Sequence, residues 1–150
     1  MRRLSLAVSA IVVASSLAGG AYANSAQEKA NAKVAIALYN AALNEKDWNK
    51  ALKYIGPRYV QHNPNAASGP EGFKAHIDNL KKNFPLNHGE IKKVFATDDL
   101  VAIHVHVKRK PEDRGYAVVD MFRVEKGKVV EHWDVVQTIP EKALNDNTMF

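Results

Sequence analysis

The chain has no cysteine. Disulfides, thiolate metal sites and cysteine nucleophiles are excluded, so a domain of this size must hold together through an apolar core alone. It also lacks an apolar run of the roughly 20 residues that span a membrane comfortably; the one extended stretch, Leu4 to Leu17, is shorter. Internal repeats, low-complexity segments and interdomain linkers are absent. So is a concentrated basic face. Lys81-Lys82, Lys92-Lys93 and Lys108-Arg109-Lys110 fall in different elements without aromatic partners, which argues against a nucleic-acid surface.

The short apolar run has another use. Arg2 and Arg3 precede it and Ala21-Tyr22-Ala23 supplies a small-x-small cleavage pattern, so residues 1–23 read as a secretory signal and 24–150 as the domain it exports. Arg2-Arg3 also has the form of a twin-arginine signal, although on a dipeptide only. The expected product is periplasmic or secreted from a bacterium, with no stable membrane insertion after signal removal. Without Arg2 and Arg3 there remain 19 Lys and Arg against 16 Asp and Glu, a net charge of only +3.

Helices are expected first. Val34, Leu38 and Ala42 recur at helical spacing between Ala26 and Lys46, with Ile36, Tyr39 and Leu43 broadening the stripe. Asp47 can cap a second helix that stops at Gly56-Pro57. Arg58 to His62 reads as a short strand. Ser68 and Glu71 form a plausible capping box for a third helix, which Pro85 ends and whose Phe73, Ile77, Leu80 and Phe84 share a face. The period then changes to two: 90–96, 100–108, 116–125 and 128–137 are Val-, Ile- and Phe-rich runs with short turns, which implies an antiparallel meander. The class is therefore α+β, with N-terminal helices covering one face of a curved sheet.

Chemistry gathers on the strands. His104 and His106 share a strand face, as do His132 and Asp134. If the hairpin closes around 109–115, His106 comes near Asp120 or Val118, and a His–Asp pair in an apolar cup is a general acid/base device. His76 and His88 read as surface residues, and Trp133, alternating away from His132, as packing or interface.

These residues also carry a resemblance. Tyr59-Val60-Gln61-His62-Asn63-Pro64, Gly69-Pro70-Glu71-Gly72-Phe73, His104-Val105-His106, Val119 to Val124 and Gly127 to Gln137 resemble the SnoaL-like polyketide cyclases. These belong to the superfamily of nuclear transport factor two, scytalone dehydratase and ketosteroid isomerase. The resemblance runs from about Asn31 to Phe150 and implies a cone-shaped barrel, its helices packed on a strongly curved antiparallel sheet around a deep pocket. It further implies Asp120 as acid/base for an intramolecular aldol closure, with His106 as its partner. Tyr39, His62, Asn63, His104 and His132 are the candidate substrate-binding residues. Asn63 stands where ketosteroid isomerase has its base aspartate; an amide cannot take a proton, so that mechanism does not transfer. SnoaL-like cones usually pair through the outer sheet face, and an outward set of Phe95, Val105, Val119, Met121 and Trp133 points to a homodimer.

His104-x-His106 with a later His132 and with Glu112 nearby also has the form of a cupin metal site. The glycine that precedes the cupin pair is missing and a helical first half is wrong for that all-β fold, so no metal is assigned. The expected ligand is a small apolar or carbonyl-bearing molecule, and proton transfer next to a carbonyl (cyclisation, isomerisation or dehydration) needs no cofactor. A non-catalytic binding module of the same fold is the competing reading, because fold does not settle function.

Overall fold

The computed structural model describes residues 25–150; the expected signal segment lies outside the described residues. Ser25 opens α1 (Ala26–Tyr39) through a reciprocal cap, its hydroxyl accepting from the Glu28 N–H while the Glu28 carboxylate accepts from the Ser25 N–H. At its C-terminal end α1 widens into a π-type turn, Asn40–Asn44. Asn44 uses that turn to reach the sheet: its amide donates to Gly89 O at 3.0 Å, and its oxygen accepts from Gly89 N–H at 2.8 Å. Asp47 caps α2 (Trp48–Ala51), as expected.

Gly56 and Pro57, expected to stop that helix, lie inside β1 (Ile55–Gln61) instead. Proline is tolerated there because β1 is an edge strand with an unpaired side. Ser68 stands at the N-cap of α3 (Gly69–Asn83), but its hydroxyl accepts from the Gln61 N–H at 3.0 Å in place of the expected capping box. The four long strands follow as expected: β2 (His88–Thr97), β3 (Leu100–Lys108), β4 (Tyr116–Glu125) and β5 (Lys128–Thr138). Lys126 and Gly127, with φ of 51° and 73°, make the two-residue turn whose twist suits a hairpin.

The sheet order is β1-β5-β4-β3-β2. β2 to β5 form the antiparallel meander, whereas β1 joins β5 in parallel, so the sheet is mixed and open rather than wholly antiparallel. Register breaks in β1, in β2 and between β4 and β5 bend it. Helices α1 and α3 fill the concave side, where Leu38, Phe73 and Ile77 bury against Val101, Ile103, Val105, Phe122 and Val129. No described helix is long and apolar enough to cross a membrane.

One register decides which residues can meet. A hairpin closed symmetrically around 109–115 would pair Lys108 with Tyr116; the observed partner of Tyr116 is Val107, so Ile103 faces Asp120 and His106 faces Ala117. A slip of one residue moves every side chain of a strand to the other face. Val101, Ile103 and Val105 are buried on the concave side, and His104 and His106 lie on the convex side. Val105, expected to point outward, is fully buried. The cause is the hydrophobic pattern of β3: its odd positions carry Val, Ile, Val and Val, and burying these outweighs burying Ala102 and two imidazoles.

Candidate functional site

Asp120 stands in the middle of β4 with its side chain on the concave face, buried. Across the ladder Asp134 is its direct partner on β5, and His132, two residues earlier, shares that face. His132 Nε2 lies 3.0 Å from Asp120 Oδ1. The partner of Asp120 is thus His132 rather than His106.

The parallel pairing of β1 with β5 supplies what holds this imidazole. Tyr59, Gln61 and Asn63 alternate onto the concave side, and Gln61 stands beside His132 in the register. The Asn63 backbone N–H donates to Gln61 Oε1 at 2.9 Å, which identifies that atom as the amide oxygen. His132 Nδ1 lies 2.9 Å from the same oxygen, so Nδ1 carries a hydrogen and donates it. The Gln61 amide nitrogen donates in turn to Tyr59 Oη at 3.3 Å.

With Nδ1 occupied, Nε2 and Asp120 Oδ1 can face each other only if one proton lies between them. Burial raises the pKa of Asp120; His132, through its hydrogen bond and its charge, lowers it, and Asp134 raises it. The net shift is upward: burial makes this carboxyl a weaker acid than it would be in water. Asp120 Oδ2 is buried without a hydrogen-bond partner among the described residues. Such an orphan is costly in a core, and here Asp120 lines both a chamber of about 60 Å³ and a neighbouring cavity of about 260 Å³.

Around the chamber, Tyr39 comes from the end of α1, and burial, then the nearby Asp120, push its hydroxyl pKa upward, so it remains a donor. Gly89 makes room for it: a Cβ there would stand 2.0 Å from Tyr39 Oη. Asn63 donates from Nδ2 to Asp134 Oδ2 at 2.6 Å. His76 of α3 lines both chamber and cavity, and burial, followed by the neighbouring His132, lowers its pKa.

Tyr39, Asn63, Asp120 and His132 are therefore brought together, and His62, His104 and His106 are not. His62 alternates outward, 2.9 Å from Glu131 and stacked on Trp133 at 4.8 Å. His106 bonds Arg114 O at 2.7 Å and stacks on Phe150, which also meets His104. With His132 on the opposite face, the His104-x-His106 metal arrangement is not formed. Asp120, His132 and Asp134 do offer three ligand atoms within 4.8 Å of one another, a set that could hold a divalent cation. Sequence reasoning missed His76 and Gln61. Both left a signal: His76 is three residues after Phe73 and four before Leu80 on the apolar stripe of α3, and Gln61 follows Tyr59 at strand spacing.

A profile of the SnoaL-like domain matches residues 36–132. The chain belongs to the SnoaL-like family. None of the curated proteins matches it. Among solved structures, this SnoaL-like chain is similar to TsrD from Streptomyces laurentii, 20% identical with a TM-score of 0.61 over 72% of this chain and 89% of that one. It is also similar to a provisionally assigned polyketide cyclase from Bacillus cereus, 20% identical with a TM-score of 0.62 over 71% and 74%. A provisionally assigned ketosteroid isomerase from Kribbella flavida aligns at 11% identity with a TM-score of 0.65 over 79% and 86%. At these identities the likeness carries the fold of the SnoaL-like chain and no substrate.

Proposed function

We propose that this SnoaL-like protein binds a small carbonyl compound in the concave cavity and moves a proton next to the carbonyl, with Asp120 as acid/base and His132 as the group that exchanges its proton. The observation that carries the reading is the buried Asp120 Oδ2, without a hydrogen-bond partner among the described residues, on a side chain that lines the chamber, while Oδ1 is tied to His132 Nε2. Shifting the shared proton to Nε2 leaves Asp120 a carboxylate. Its Oδ2 then takes a proton from the carbon beside the carbonyl, and the bonding pair moves onto the carbonyl oxygen to give an enolate. Tyr39, whose hydroxyl stays protonated, is the candidate donor to that oxygen, and neutral His76 a second. Return of the proton at another carbon is isomerisation, and attack of the enolate carbon on a second carbonyl of the same molecule is aldol closure.

Incubation with enolisable ketones in deuterated water tests this reading. Deuterium should enter the α-position with wild-type protein and be lost with Asp120→Asn. Ligand binding without exchange in any of the ketones would leave a non-catalytic binding module as the function.

Two further parts of the reading concern place and assembly. Residues 1–23 would direct export and be removed; mass spectrometry of a periplasmic fraction should find a chain starting near Asn24, and an intact Met1 there contradicts it. The protein would pair through the convex face, where Phe95, Met121 and Trp133 border an apolar groove of about 440 Å³.

A further inference from the structure

The cavity has two ends of opposite character. Its floor carries Asp120 and Asp134, and its mouth carries Arg109. Arg109 is the residue after β3, on the concave parity of Val105 and Val107, and among the described residues it has no carboxylate within salt-bridge distance. Two aromatic rings hold it instead: its guanidinium carbon is 4.3 Å from the Phe84 ring centroid and 5.5 Å from that of Tyr116. Phe84 closes α3 and Tyr116 opens β4, so the cation is fixed at the rim by two elements that also wall the cavity.

Asn87 stands at the same rim. It is only 8% exposed, it lines the cavity, and among the described residues its carboxamide makes no hydrogen bond. Behind it the buried Lys46 ammonium is held by carbonyl oxygens alone, at 2.7 Å from Asn87 O and 3.2 Å from Asn44 O. The mouth thus presents a clamped guanidinium without a carboxylate partner and an amide without a protein hydrogen bond among the described residues. An anion supplies what both lack. One planar fork beside one amide suits a singly charged, planar carboxylate, and the two aspartates at the floor disfavour a dianion.

We infer that the ligand of this site is a small keto acid whose carboxylate is held at the mouth by Arg109 and Asn87 while its carbonyl end reaches Asp120. This rests on the reading of the cavity as the site of proton transfer and adds the substrate class. A cavity of about 260 Å³ holds the volume of roughly nine waters, so the compound has about that many non-hydrogen atoms.

The test compares 2-oxobutanoate, 4-oxopentanoate and 5-oxohexanoate, each with its own methyl ester, which keeps the shape and removes the charge. Binding is titrated by NMR at low salt, and deuterium exchange is followed separately. At least one acid should bind roughly ten- to a hundredfold more tightly than its ester, the range expected of charge-assisted hydrogen bonds. Arg109→Gln should abolish that preference, and Arg109→Lys, which keeps the charge without the fork, should retain part of it. An absence of preference in all three pairs, or one that survives Arg109→Gln, overturns the inference. Inorganic phosphate binding more tightly than every acid overturns the carboxylate assignment. Acid preference without exchange upholds the anion site and removes proton transfer; exchange on the esters without acid preference does the reverse.

Discussion

At the scale of single residues, the Asp120–His132 couple makes a distinctive demand on stability. Burial holds Asp120 above its ordinary value of 3.8, so over the interval between the two values the native state keeps a proton that the unfolded chain has released. The stability this group contributes is complete below the unfolded value and is lost as pH rises through the folded one. One proton limits that slope to about 1.4 kcal/mol per pH unit. Asp120→Asn is neutral at every pH, and its Nδ2–H can donate to His132 Nε2. Melting temperatures between pH 4 and 8 should therefore run flatter in this variant than in wild type and equal or exceed it at the upper end. A pair held together by full opposite charges gives the contrary result, a variant that is weaker at neutral pH. His106→Gln should leave the deuterium exchange rate where it was, because that imidazole lies on the convex face with Phe150.

At the scale of elements, the close approach of α1 to β2 is the most exacting junction. Tyr39 Oη occupies the space a side chain at Gly89 would need, and Asn44 clamps the same glycine by two hydrogen bonds. Gly89→Ala should cost about 1–3 kcal/mol, the usual range for overpacking. Together with Tyr39→Phe the loss should be less than additive in a denaturation cycle; strict additivity would show that the two residues do not compete for the space. Much of this architecture was legible in the chain. The strands after Pro85 announced themselves because alternation and short turns are local signals, and His132 and Asp134 could be set on one face by parity within their strand. The partner of Asp120 cannot be chosen that way, because the approach of His106 depends on how the 109–115 hairpin closes, and a slip of one residue reverses its face. The valine and isoleucine set of β3 already favoured the opposite answer. Gln61 was hidden for another reason: a parallel neighbour 71 residues away in sequence leaves no local trace.

At the scale of the whole molecule, the convex face joins Phe95, 61% exposed, to Met121 and Trp133 across four strands. Pairing through this face predicts a dimer by light scattering at micromolar concentration and a monomer for the double variant Phe95→Glu, Met121→Glu. A wild-type monomer under those conditions contradicts it. The parallel seam between β1 and β5 has a temporal consequence as well. The β2 to β5 meander closes over short loops, whereas the seam that brings Gln61 to His132 closes over most of the domain, and such long-range closures come slowly. During refolding, sheet signal should rise before the imidazole is captured by Gln61. Stopped-flow mixing should then find the capacity to exchange deuterium appearing after the far-ultraviolet signal has levelled, so that a newly made chain would be folded in outline before it is competent.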